Sequence, residues 1–236
     1  MSPYGRRGYG SRPGEGRSSG RAGTGPSRRG DGAHGASRLS IDDVDALFSA
    51  VGRVRFVAFD FETTGLSPER DRVVEIGAVA FRMALDESGP DGQPWRAIED
   101  GSFETLIHPG RPIPPEVSAI HGIDDLAVSG APSFAEAAAR FLPFIDGSIL
   151  VAHNAPFDLG FLRAETARAG IENPPNPAYD TIAIAKTAIS GLPSYSLKSL
   201  ASAFGIVQTA AHRGGDDAKV CMVLFSRCIN LIYTSK

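Results

Sequence analysis

The stretch Phe59-Asp60-Phe61-Glu62-Thr63-Thr64-Gly65-Leu66 limits what this chain can be more than any other. The run Arg55-Phe56-Val57-Ala58 leads into it and reads as a buried strand. Strand side chains alternate between faces, so Asp60 and Glu62 leave the same face. At ~4 Å two unit charges repel by about 4 kcal/mol at an effective dielectric of about 20. A fold that keeps both carboxylates must neutralise one by burial or bring in a hard divalent cation, which takes oxygen ligands. Thr63-Thr64-Gly65 then turns the chain, with hydroxyls and backbone N–H groups close by. The stretch reads as half of a metal site that handles phosphate. Asp-x-Glu alone is common, and a strand ending in a polar turn accounts for it equally well.

The rest of the chain shifts that balance. The 236 residues suffice for one sizeable domain with an appendage. The net charge of −3 is unevenly spread: residues 1–38 hold eight Arg against Glu15 and Asp31, a local +6, which leaves −9 on the remainder. A strongly acidic body does not suit a passive nucleic-acid binder, but suits an enzyme that gathers carboxylates around cations. Residues 1–38 are Gly, Arg, Ser and Pro with little aliphatic content, and are expected to be a disordered tail. Such a tail either sticks weakly to phosphates or merely solubilises the chain. No apolar run approaches the ~20 residues of a membrane helix, and the N-terminus lacks an apolar secretory core. Cys221 and Cys228 fall seven apart on one expected helix, about 10 Å apart along its axis, too far for a disulfide. Buried free thiols in a reducing cytoplasm are the expectation.

Residues 39–236 form the expected domain. Ile41, Val44, Leu47 and Phe48 have helical spacing behind a Ser40 N-cap. Strands follow at 55–61, 73–81 and near 102–107, an antiparallel meander interrupted by a long loop over 86–100 that contains Trp95. Glu75, inside the second strand, reads as structural. His121 lies in a loop, Ala119-Ile120-His121-Gly122-Ile123, and His108 reads as structural. Ser133 and Glu136 form a capping box for a helix to about 145. A buried strand at 148–152 runs into His153-Asn154-Ala155-Pro156-Phe157-Asp158 and a helix to Ala169, with Asp158 in its first turn, where the helix dipole favours a carboxylate. Helices are expected from Tyr179-Asp180-Thr181 to about 189, over 197–204, and from Ala218 to about Tyr233 after the turn His212-Arg213-Gly214-Gly215-Asp216-Asp217. A meander followed by alternating strands and helices implies an α/β fold: a mixed five-stranded sheet flanked by helices.

Asp-x-Glu after one strand, His-Asn-x-x-Phe-Asp after another, and His-x4-Asp before a last helix together resemble the DEDDh class of 3′–5′ exonucleases, closest to the bacterial DnaQ-like (DNA polymerase III epsilon-subunit-like) branch. The resemblance spans about residues 52–233 and implies the ribonuclease-H-like fold. It implies hydrolysis of phosphodiester bonds at a 3′ end with two Mg²⁺ or Mn²⁺ ions, releasing nucleoside 5′-monophosphates. By the same resemblance Asp60 bridges both ions, Glu62 and Asp217 hold the ion beside the attacking water, and Asp158 acts through water or an outer shell. His212 is the implied general base, and imidazole as a class titrates near neutral pH. The spacing from His212 selects Asp217 rather than Asp216. Thr63 is implied to reach the 3′-hydroxyl, Leu66 to wedge the terminal base, and Ile120, His121 and Phe157 to close the pocket. His153 and Asn154 orient the strand end, and Asn154 is counted with the substrate contacts. Stacking on such surfaces is tolerant of base identity.

The expected partner is a single-stranded or frayed 3′ end of DNA. An exoribonuclease on the same fold, trimming RNA or degrading short oligonucleotides, is the alternative, and an idle nucleic-acid-binding module the remote one. Polymerase-bound members carry an extension past the last helix. Here the chain stops at Lys236, so an enzyme acting alone or through its Arg/Gly tail is expected.

Overall fold

The computed structural model describes residues 37–86, 93–208 and 212–235. The chain separates into two units, Met1–His34 and Gly35–Lys236, and the expected tail lies almost wholly outside the described residues. Among the described residues no helix is long and apolar enough to cross a membrane.

One sheet organises the second unit, in the order β3-β2-β1-β4-β5. Strand β1 (Arg55–Thr63) pairs antiparallel with β2 (Val73–Leu85), which pairs antiparallel with β3 (Trp95–Leu106). On its other side β1 pairs in parallel with β4 (Ile149–Ala152), and β4 with β5 (Ala178–Asp180). Helices cover both faces, as expected for the mixed five-stranded α/β sheet. Against one face lie α1 (Ile41–Ala50), α6 (Thr181–Ala188), α7 (Leu197–Ala203) and α8 (Gly214–Thr234). Against the other lie α4 (Phe134–Ile145) and α5 (Ala155–Ala169). The short α2 (Pro115–His121) and α3 (Asp125–Val128) sit over a smaller cluster of Val74, Ile113, Ile123 and Val128.

The pleat of β1 decides where its acids go. Phe56 and Ala58 pack under α8 with Phe225 and Cys221, whereas Val57, Phe59 and Phe61 pack against Phe141 and Phe161. The parity that sends Phe56 and Ala58 toward α8 sends Asp60 and Glu62 the same way, to the N-terminal end of that helix. Both expected capping boxes form, at Ser40–Asp43 and Ser133–Glu136.

Four expectations need correction. Trp95 belongs to a strand and not to a loop: β2 and β3 run on as a hairpin to the pair Leu85–Trp95, helped by a bulge between Ala80 and Phe81. Tyr179 and Asp180 belong to the fifth strand, and the helix begins only at Thr181, capped by the Asp180 side chain. His121 closes a helix that ends on Gly122 in the left-handed conformation (φ 74°), so it is not a loop residue. The last helix starts at Gly214, four residues early, because the glycine pair can lie directly on the sheet.

Candidate active site

Three elements carry acids to one end of the sheet. Asp60 and Glu62 stand at the end of β1, partly exposed. Asp158 is buried in the first turn of α5, where its Oδ1 accepts the Phe61 backbone N–H at 3.0 Å. That bond ties the second acidic segment to the first. Pro156 also sits in this turn, where a missing N–H costs nothing. Asn154, in the left-handed conformation (φ 65°), makes the sharp entry, and its N–H donates to Asp180 Oδ1 at 3.1 Å. His153 Nδ1 lies 2.9 Å from Thr181 Oγ1, so His153 serves the strand end.

Asp217 is buried in the first turn of α8. Its Oδ2 accepts the His212 backbone N–H at 3.2 Å, and its Oδ1 accepts from the Gln208 amide. His212 is exposed and takes a positive φ of 61°, an uncommon conformation for a residue with a Cβ. One potential ligand atom from each of Glu62, His212 and Asp217 lies within 4.8 Å of the others. The structure thus gathers Glu62, His212 and Asp217 into one group that leaves out Asp216.

The electrostatics extend the group to Asp60 and Asp158. Burial first, then the charges of Asp158, Glu62, Asp217 and Glu75, hold the Asp60 carboxyl well above the ordinary carboxylate range. Burial, then Asp217 and Glu75, push Glu62 up to about 7, opposed by the Arg213 guanidinium. Burial pushes Asp158 up to about 8 despite the N–H bond it accepts from Phe61. Burial also raises Asp217, against its bonds from Gln208 and His212. Carboxyls that are this reluctant to ionise are short of positive charge. Oxygen donors in that state, beside an imidazole, fit a hard divalent cation.

The expected substrate contacts differ widely in exposure. Thr63 is buried and donates to the Gly65 carbonyl through Oγ1 at 2.6 Å. Leu66 is 84% exposed and Ile120 60%, with no packing to explain either side chain. His121 is buried, and its Nδ1 accepts the Ile123 N–H at 3.0 Å. That leaves Nε2 as the protonated nitrogen, facing the Thr63 backbone without a hydrogen-bond partner. Phe157 is half-buried and packs on Phe161, with ring centroids 5.0 Å apart.

Reading the sequence missed Glu75, Arg213 and Gln208 as members of this neighbourhood. Glu75 was legible in one respect: it is the lone charge in the apolar run Val73–Phe81, and a buried charge needs a partner.

Fold and site together define a metal-dependent 3′–5′ exonuclease. The family model described as Exonuclease (RNase_T) matches residues 57–225, and the chain belongs to that family, in its DnaQ-like DEDDh branch. A DNA polymerase III subunit epsilon from Treponema pallidum (strain Nichols) is 43% identical over 187 residues, covering 78% of this chain and 81% of that one. Exonuclease X in complex with 5′ overhanging duplex DNA matches with a TM-score of 0.53 and 27% identity, over 75% of this chain and 90% of that one. E. coli Exonuclease I in complex with a dT13 oligonucleotide matches with a TM-score of 0.61 over 74% of this chain and 41% of that one. At 20% identity the latter speaks for the fold alone.

Proposed function

We propose that the chain trims the 3′ end of single-stranded or frayed DNA, one nucleoside 5′-monophosphate at a time, with Mg²⁺ or Mn²⁺. The observation that carries this reading is the convergence of Glu62, Asp217 and His212 within 4.8 Å, beside Asp60 and Asp158. The oxygen donors that would hold two such ions are Asp60, Glu62, Asp217 and Asp158. When bound, such ions lower the pKa of a coordinated water and supply counter-charge to the phosphoryl oxygens.

The protein's own part is positional. His212, exposed and next to Glu62 and Asp217, takes the proton from the attacking water at its imidazole nitrogen. The water oxygen bonds to phosphorus, the P–O3′ bond breaks, and the departing O3′ takes a proton from solvent water, leaving a 3′-hydroxyl on the shortened strand. Asp217, bonded to the His212 N–H, fixes where the imidazole stands. Thr63 and the neighbouring backbone receive the terminal 3′-hydroxyl, and His121, buried against the Thr63 backbone, supports the same end of the pocket. Leu66, Ile120, Phe157 and Asn154 form the walls, and exposed apolar side chains there suit base stacking.

The cytoplasm is the proposed setting, and residues 1–38 are proposed as an appended tail to the domain at 39–236. The name of the Treponema relative as a polymerase subunit makes association with a replicative polymerase the alternative to the enzyme acting alone expected above. The deciding assay sets 3′-labelled against 5′-labelled single strands of DNA and RNA, with Mg²⁺, Mn²⁺ or EDTA. Metal-dependent loss of the 3′ label from DNA is expected. Degradation of RNA alone would reassign the substrate, and metal-independent activity would end the proposal.

A further inference from the structure

Five carboxylates crowd this end of the sheet, and one has no part in the chemistry above. Glu75 has a side chain only 4% exposed and stands directly across from Glu62 in the β1–β2 register. Its oxygens are occupied by the third acidic segment. Oε1 accepts from Arg213 Nη2 at 2.8 Å, and both oxygens lie 3.3 Å from Arg213 Nε. Oε2 also accepts the Gly214 backbone N–H at 2.9 Å. A carboxylate held by a guanidinium and an amide is already neutralised, and makes a poor ligand for a cation.

The contacts continue from there. The Asp217 N–H donates to the Arg213 carbonyl at 2.9 Å, and the His212 N–H donates to Asp217 Oδ2 at 3.2 Å. Hydrogen bonds, joined through the Arg213 residue itself, therefore link the floor of the sheet to the Asp217 carboxylate and the His212 backbone. We infer that Glu75, through Arg213 and Gly214, is a positioning residue that sets where Asp217 and His212 stand relative to Glu62, and so governs divalent-cation affinity and turnover. The inference rests on the nuclease reading above. Arg213 has a second effect: its charge opposes the repulsion that Glu75 exerts on Glu62, its partner across adjacent strands.

Arg213 makes the test clean, because its side chain is 52% exposed and its loss leaves no hole in the core. Arg213→Gln, Glu75→Gln and the double variant are compared with the unaltered full chain. Three quantities are read: the thermal midpoint in EDTA, Mn²⁺ affinity of the protein alone by titration calorimetry, and kcat and KM on 3′-labelled single-stranded DNA. Loss of a partner that orients a metal ligand costs about 10–100-fold in affinity or activity. Arg213→Gln is therefore expected to weaken Mn²⁺ binding and lower kcat by about tenfold or more, with KM and the midpoint nearly unchanged. Glu75→Gln keeps an acceptor for the Gly214 N–H and should do the same. The double variant should be no worse than the worse single one, since all three break one connection.

Charge alone predicts the opposite sign, because deleting a cation beside a cation site tightens Mn²⁺. Tighter or unchanged binding in Arg213→Gln, or additive losses in the double variant, would overturn the clamp. So would weakened binding in Glu75→Gln alone, which would make Glu75 a ligand in its own right. An unaltered chain that neither binds Mn²⁺ nor degrades DNA would overturn the nuclease reading and the clamp with it, whereas an active unaltered chain isolates the clamp.

Discussion

The two halves of the site are held in different ways. Asp60, Glu62 and Asp158 belong to β1 and the start of α5; β1 is anchored by Phe59 and Phe61 against Phe141 on one face, while Asp60 and Glu62 leave the opposite face. Asp217 and His212 belong to the start of α8 and the exposed residue before it. The first half is fixed by a strand pleat and one buried hydrogen bond from Phe61 to Asp158. The second is fixed by contacts with a strand far away in sequence: Glu75 on Arg213 and Gly214, and Gly77 under the Gly214–Gly215 backbone. An acid within a core strand keeps its place for as long as the fold exists. An acid at a helix start keeps its place only while its docking contacts hold. The strand half should therefore fail in chemistry without failing in stability, and the helix half should be able to fail in both.

The largest effect is expected at Asp60. Asp60→Asn removes an acid that, on the proposed function, holds the ions. Several kcal/mol of charge stabilisation at 1.36 kcal/mol per tenfold predicts a loss of about 10³-fold or more in kcat. Because burial and neighbouring acids already disfavour its charge, the metal-free variant should melt at or above the midpoint of the unaltered chain. A lower midpoint would show that the strand half depends on Asp60 for its fold. His212→Ala comes next. If His212 is the general base proposed above, its removal costs about 10²–10⁴-fold. Because His212 is exposed, and Ala keeps a Cβ at φ 61°, its midpoint should stay the same or fall slightly. His212→Gly, which occupies that φ without strain, should be the more stable of the two with the same loss of activity.

These two halves also differ in how far the sequence alone revealed them. Asp60 and Glu62 follow from a period of two, and Asp158 from a helix start after an apolar strand, because the causes lie within a few residues. The Ser40 and Ser133 capping boxes are legible for the same reason. The early start of α8 was not, because two glycines read as a turn until Gly77, more than a hundred positions earlier, is known to lie beneath them. Nor was the role of Glu75, whose partner is 138 residues away. The strand at Trp95–Asp100 was hidden by polar residues, which an edge strand tolerates because one side of it meets water. The fifth strand, three residues long, offers no periodicity to detect. His121 ends a helix of seven residues with Pro115 at its start, a pattern easily taken for a loop.

Gly77→Ala presses on the docking contact directly. A Cβ at Gly77 would stand 1.9 Å from the Gly214 carbonyl carbon and 2.1 Å from the Gly215 nitrogen, both backbone atoms that cannot swing aside. Overpacking costs about 1–3 kcal/mol in a core. A urea midpoint lowered by that amount is expected, together with weakened Mn²⁺ binding, since α8 must lift and carry Asp217 with it. A control at Gly110, where nothing lies within 4 Å but φ is 69°, should lose a little stability and no metal affinity. If Gly77→Ala lost stability but kept full Mn²⁺ affinity, the two halves would be less distinct than their contacts imply.

The smallest effect concerns pH in the metal-free protein. Glu62 and Asp158 are held at about 7 and about 8, and Asp60 and Asp217 are raised as well. In the unfolded chain all four ionise near pH 4. Between those limits the folded state binds more protons than the unfolded one, so stability falls as pH rises. The stabilisation is full below pH 4 and is lost through about 7 for Glu62 and about 8 for Asp158. His153 works in the opposite sense: burial lowers it to about 4, and it penalises the fold as pH drops below its ordinary value near 6.5. The comparison is therefore cleanest toward the upper end of pH 6.5–8.5, because only above about pH 7.5 is His153 neutral in both states. In EDTA the thermal midpoint should decline over that window, and Mg²⁺ or Mn²⁺ should flatten or reverse the decline by binding the ionised carboxylates. The same scan on Asp158→Asn should lose the upper part of the decline and keep the lower, which belongs to Glu62. A midpoint independent of pH in EDTA would mean that the acids relieve their repulsion by moving apart, and the half built on α8 is the one with freedom to move.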